Sequence, residues 1–240
     1  MEWLLIFAIV FFAVFVQSVT GFGLALVSMP LLTAVLGIQT AAPLVAFFAI
    51  VAEAILLIYY RTHLDLRVVW RLAIASVVGV PLGVLALRTV PEEIVLTVLG
   101  LVLVGYASYA LMNFRLPEIR QSIWAYLAGL LAGVLGGAYN TSGPPVIIYG
   151  HCRAWSPAGF KSNLQGFFLL NSSVILVAHF LAGNYTSQVW QSVLVALPAV
   201  LLSIVAGVRL SKRINPAAFR RLVLLLLLIL GVWLILSGPT

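Results

Sequence analysis

Charge is what this sequence most conspicuously lacks. Only 8% of its 240 residues are charged, where a soluble domain carries about 25%, and Asp and Glu together number 6. That scarcity excludes a water-soluble globule. Cysteine is nearly absent as well. Cys152 stands alone, so no intrachain disulfide can form. No polar stretch between the apolar runs is long enough to fold as a soluble domain. The opening Met1-Glu2-Trp3 lacks the positive segment of a cleavable leader, so the first helix is expected to be retained. There is no HExxH pattern and no Ser/His/Asp set, which argues against an intramembrane enzyme. His151 beside Cys152 has no third ligand, so neither a metal nor any other cofactor is expected.

What the chain has instead is hydrocarbon: 63% of residues are hydrophobic and the mean hydropathy is +1.18. Apolar runs recur at Ala41–Tyr60, Val68–Leu87, Ile94–Met112 and Arg221–Ser237. Each is close to the ~20 residues that cross ~30 Å of bilayer core. They do not alternate apolar and polar as barrel strands would. The reading is an all-α polytopic membrane protein surrounded by lipid. The net charge of +7 does not indicate nucleic acid, because almost all basic residues lie between the spans.

The chain also repeats itself. At an offset of 120, Thr20–Pro30 (TGFGLALVSMP) lies over Asn140–Gly150 (NTSGPPVIIYG), and Ala41–Phe48 over Lys161–Phe168. Gly79-x-x-x-Gly83 then matches Ser203-x-x-x-Gly207, with Pro91 and Pro216 following. Residues 1–115 and 121–240 are therefore expected to be two copies of one unit within a single transmembrane domain. Each copy reads as a broken first element, re-entrant or fully spanning, followed by three full spans. The breaks fall at Thr20–Gly23 and Gly136–Gly143, and the spans at 41–60, 68–87, 94–112, 162–182, 190–208 and 219–237.

Basic residues orient the copies. If the halves face opposite ways, Arg61, Arg67, Arg71, Arg115, Arg120, Arg153, Lys161, Arg209, Lys212, Arg213, Arg220 and Arg221 all fall on one side. The positive-inside rule makes that side cytoplasmic. Only Arg88 lies outside, beside Glu92 and Glu93. A parallel duplication would separate the clusters, so the repeats are expected to be inverted, with both termini external.

Inverted repeats with discontinuous helices are a common plan for secondary transporters. A helix that starts within the membrane presents free N–H groups and the positive end of its dipole, which together suit an anion. The second break, GGAYNTSGPPVIIYG, offers this at Pro144, with Asn140, Thr141 and Ser142 as uncharged donors. Gly143, like Gly21 and Gly23, permits close backbone approach. Tight helix packing is the competing explanation for such glycines, and it fits Gly79-x-x-x-Gly83. Two clusters at equivalent repeat positions favour a site.

As a pair, QSVTGFGLALVSMPLL and GGAYNTSGPPVIIYG resemble the signatures of the TauE/SafE family of membrane permeases, over essentially the whole chain. The resemblance implies a prokaryotic inner-membrane protein that moves a small sulfur-containing anion, such as sulfite or an organosulfonate, usually outward. Carried over by residue, it implies substrate contacts from Gln17, Thr20, Gly21 and Gly23 in the first break and from Asn140, Thr141, Ser142 and Gly143 in the second. Asn163 and Gln165, one helix later, are expected to complete the wall. The first motif has Gly-Phe-Gly where many members carry a longer glycine run. An anion channel and a permease for a small non-sulfur carboxylate are the competing functions, and homodimerisation is left open.

Glu53 is the one acidic residue deep in a span. A carboxyl there is expensive and a functional candidate by default, and proton coupling is the role it suggests. His179 and His63 read as interfacial, and Trp3, Trp70, Trp124, Trp190 and Trp233 as the aromatic belt.

Overall fold

The computed structural model describes residues 2–112, 117–211 and 213–237, which form ten α-helices and one turn of 3-10 helix at Arg61–His63. Of the basic residues used to orient the chain, Arg115 and Lys212 lie outside the described residues. Helix α1 spans Glu2–Thr20, α2 Leu24–Leu36, α3 Ile38–Tyr60, α4 Leu66–Thr89 and α5 Glu92–Met112. Then come α6 at Ile123–Tyr139, α7 at Gly143–Cys152, α8 at Pro157–Leu181, α9 at Ser187–Leu210 and α10 at Pro216–Ser237. Seven of them (α1, α3, α4, α5, α8, α9 and α10) are long and apolar enough to cross a bilayer. The fold is an all-helical, polytopic membrane bundle, with the interruptions where glycine, proline and small polar residues cluster.

Starts and stops follow local chemistry. The Asp65 carboxylate accepts from the N–H groups of Arg67 and Val68 and so caps α4. Ser156 caps α8 with Pro157 at its first position, and Thr186 caps α9.

Each interrupted element has a long limb and a short one. At ~1.5 Å per residue, α1 and α6 reach about 28 and 25 Å, whereas α2 and α7 reach only about 20 and 15 Å. The N–H of Ile119, just before α6, donates to Cys152 at the end of α7 at 3.0 Å. The second broken element therefore returns to the end at which it began.

That end also gathers the basic loops. Asn163 Oδ1 accepts from the N–H of Asp65 at 2.7 Å, Ser162 donates to the Tyr60 carbonyl, and Arg71 Nη1 donates to Ser122 Oγ at 3.0 Å. At the opposite end the Ile38 N–H donates to Glu92 Oε1 at 3.1 Å, and Arg88 donates to the Ala182 carbonyl.

Packing is closest where glycines meet backbone. Helix α4 lies on α6 through Gly79 and Gly83 on one side and Gly129, Gly133 and Gly137 on the other. A Cβ on Gly83 would collide with the Val134 carbonyl, and one on Gly129 with the Leu72 carbonyl. Helix α9 packs on α1, where Gly207 abuts Ser18, and α5 packs on α10 through Gly100 and Gly231. At the centre α3 crosses α8, with α4 also against α8 and α9 also against α3. At the offset of 120 each of these contacts maps onto itself or onto another of the set.

Candidate functional site

In the first break the chain leaves α1 through two glycines with left-handed backbone, Gly21 at φ +87° and Gly23 at φ +107°. That region is disfavoured for any residue with a Cβ. Thr20 closes the turn on itself: its Oγ1 donates to the Val16 carbonyl at 2.9 Å and accepts from the Phe22 N–H at 3.2 Å. Gln17, one turn back, spans the gap. Its Oε1 accepts from the Leu24 N–H at 3.1 Å, capping α2, while its buried Nε2 has no protein partner.

Asn140 makes the second break. It ends α6 at φ 54°, a left-handed cap position that asparagine tolerates. Its Nδ2 donates to the Ala42 carbonyl on α3 at 2.7 Å, and its Oδ1 is buried without a partner. Thr141 Oγ1 donates to the Tyr139 carbonyl at 3.0 Å.

The two breaks meet. One cavity between them is lined by Gln17, Gly23 and the first turn of α2, by Asn140 through Gly143, and by Ala49, Glu53 and Phe168. Its free space, about 20 Å³, holds a water-sized group. Both half-helices present their N-termini to it, but unequally. Helix α7 opens Gly143-Pro144-Pro145, so two of its first three positions carry no N–H. The expectation of a donor-rich start near Pro144 is corrected by that chemistry. Helix α2 offers more donors, because the N–H groups of Ala25 and Leu26 have no carbonyl to bond within the helix.

Glu53 closes the wall. It is 5% exposed, its Oε2 has no partner, and the polar side chains facing it are Ser172 and Gln17. Among the described residues no basic side chain lines the cavity.

Of the residues expected to bind substrate, Gln17, Gly23, Asn140, Thr141, Ser142 and Gly143 come together on this wall. Thr20 turns back into its own loop. Gly21 lies beneath the Lys161 side chain and accepts from Gln165 Nε2 at 2.9 Å. Asn163 pins the loop before α4 through Asp65 rather than facing the cavity.

Asn171 escaped the sequence reading. It is fully buried, both its amide atoms lack partners, and a Cβ on Gly136 would stand 2.8 Å from its Nδ2. A second carbon close to that position belongs to Ser142, which lines the cavity. The signal was present as Asn171-Ser172-Ser173 in mid-span, but which way those side chains faced was not. His179 corrects an expectation. It stands in the last turns of α8 but is fully buried in the protein, with Nδ1 against Asn184 Nδ2 in the following loop at 2.8 Å, so it does not face the lipid interface.

A family model described as sulfite exporter TauE/SafE matches residues 6–234. The chain belongs to the TauE/SafE family. A relative from Cupriavidus necator, named a probable sulfite/organosulfonate exporter TauE, is 28% identical over 92% of this chain and 89% of its own. A second from Comamonas testosteroni, named a probable inner membrane transporter protein TsaS, is 32% identical over 45% of this chain and 46% of its own. No solved structure matches. With its TauE/SafE membership and its bundle of spanning helices, the protein is a membrane transporter and not an enzyme.

Proposed function

We propose that this TauE/SafE protein is a secondary transporter that exports a small sulfur-containing anion, sulfite or an organosulfonate, across a prokaryotic inner membrane. The observation that carries the reading is the meeting of two helix breaks at one cavity whose polar wall comprises Gln17, Asn140, Thr141, Ser142 and Glu53 and which, among the described residues, has no basic side chain. Such a wall binds a monoanionic oxyanion through hydrogen bonds and a helix dipole, without holding it so tightly that release stalls. The description of the family and the name of the Cupriavidus necator relative supply the sulfur chemistry.

In this proposal the two halves are inverted copies that rock about the cavity, exposing it to each side in turn, with both chain termini external. The paired helix contacts and the gathering of basic loops at one end support that arrangement. A cavity with room for little more than water favours a carrier in a closed state over an open channel. Substrate contacts fall to Gln17, Gly23, Asn140, Thr141, Ser142 and Gly143. Thr20, Gly21 and Gln165 hold the first break in shape, Asn163 pins the loop before α4, and Glu53 takes up the coupling proton.

The test is uptake by purified protein in liposomes against a panel of small anions, with the double variant Asn140→Ala/Ser142→Ala. Saturable sulfite or sulfonate transport is expected. A buried bond to a charged group contributes about 1.5–3 kcal/mol, so the variant should lose at least about tenfold in affinity. Unchanged transport in the variant would discard the site. Transport of carboxylates but no sulfur anion would discard the substrate.

A further inference from the structure

Much larger than the polar cavity is an apolar crevice of about 660 Å³ between α5 on one side and α6 and α7 on the other. That lies in the range of roughly 300–1,000 Å³ typical of ligand pockets. Its walls are hydrocarbon and aromatic, among them Leu101, Leu127, Leu131 and Trp124. Its floor includes Pro144 and Pro145, the start of the half-helix whose Gly143 faces the polar cavity. The crevice opens outward, since Leu101 and Leu131 on its walls are more than half exposed, and an apolar surface of this kind does not retain water.

The pairing of contacts makes the crevice stand out. On the face related by the offset of 120, α10 covers α1 and α2, with Phe219 edge-on to Phe15 at 5.9 Å and Arg220 5.9 Å from the Phe22 ring. Helix α5 makes no comparable contact with α6 or α7. Gly105 of α5 faces open space where a side chain would otherwise stand.

Its mouth is basic. Ile119, Tyr149 and Cys152 line the end beside the basic loops. Arg153 Nη1 donates to the Ile119 carbonyl at 3.0 Å, and the Arg120 side chain is 90% exposed, 3.7 Å from Glu118. Arg71 reaches Ser122 just beyond. Basic rims over apolar clefts between spanning helices suit anionic lipid headgroups.

We propose that this crevice binds one anionic phospholipid, an acyl chain filling the space between α5 and α6/α7 and the headgroup resting on Arg120 and Arg153. The lipid takes the place that α10 takes on the related face, and braces the half-helix behind the polar cavity.

The probe is phosphatidylglycerol with a photoactivatable acyl chain, in vesicles holding the whole protein, with phosphatidylcholine carrying the same chain as control. Labelled residues are mapped by mass spectrometry. Labelling is expected to concentrate on α5 residues 101–109 and α6 residues 127–135, severalfold above the exposed face of α9 around Leu194. It should be stronger with phosphatidylglycerol and fall to the α9 level in Gly105→Phe, which fills the crevice without a backbone clash. Arg120→Gln should erase the preference between headgroups. Equal labelling around the whole belt, unmoved by Gly105→Phe, would mean ordinary surrounding lipid and overturn the proposal. An absence of label in the crevice would mean that α5 closes it, and would overturn the proposal equally. Equal labelling of the crevice by both headgroups would overturn the anionic assignment.

Discussion

Gln17 Oε1 accepts the N–H of Leu24 at 3.1 Å, so a side chain from the last turns of one helix caps the next across the break between them. The same amide turns its bare Nε2 toward Glu53 and the cavity. Its two ends do different work and can be separated. Gln17→Glu keeps an acceptor for Leu24 and removes the donor. It should weaken substrate affinity about tenfold or more and, because it buries a second carboxyl beside Glu53, lower the melting temperature in detergent. Gln17→Leu removes both, and should also lose about 1 kcal/mol of stability with the cap. Equal melting and equal affinity for both variants would show that the Gln17 amide serves neither end.

Asn140 separates backbone from side chain in a similar way. Gly at this position adopts the left-handed conformation freely, whereas Ala should lose about 1–2 kcal/mol there. Both variants lose the bond to the Ala42 carbonyl. Thermal melts should therefore rank wild type above Asn140→Gly, and Asn140→Gly above Asn140→Ala. Transport affinity should fall by similar amounts in the two variants. A reversed order of melting would contradict the strain argument.

Glu53→Gln keeps the size and hydrogen-bonding reach of the buried side chain and removes its proton traffic. Exchange of labelled for unlabelled substrate across liposomes should survive. Accumulation driven by an imposed pH gradient should be lost. If the gradient still drives accumulation in the variant, Glu53 does not couple.

Bulk at the α4–α6 contact should be tolerated poorly. Gly133→Leu would push a side chain into the backbone of Ser76 and Gly79. Overpacking typically costs about 1–3 kcal/mol, and more where backbone is met. The yield of monodisperse protein on gel filtration should collapse. Gly105→Leu, whose Cβ would meet nothing within 4 Å, should express as wild type.

The helices were largely legible in the sequence, because lipid permits few ways to satisfy a backbone and punishes every interruption. Thr20–Gly23 announced itself as a break for that reason, and so did Gly136–Gly143, although α6 runs on through Gly136–Tyr139 and the helix is interrupted only at Asn140–Ser142. Rotational phase was harder to read. Nothing in the string says that Asn163 turns toward the Asp65 N–H while Asn171 is buried near Ser142, since both sit on one helix amid the same kinds of neighbours. His179 was misjudged on similar grounds, because nearness to a span end does not determine which face a side chain takes. The weakness of α7 as a donor was in plain view, as Pro144-Pro145. It was passed over because proline suits a helix start even while removing the hydrogens that an anion would use.

The glycine contacts carry a consequence for motion. Where Gly83 and Gly129 let one helix rest on another's carbonyls, there is no cushion of side chains to slide or repack. The helix pairs α4–α6, α5–α10 and α1–α9 are thus fixed joints, and the molecule is a small set of stiff struts. In the proposed transporter, the shape change that carries a substrate through is expected to fall on contacts without this glycine-to-backbone seating. The α3–α8 crossing, where Glu53 faces Ser172, is the seam at the middle of the machine.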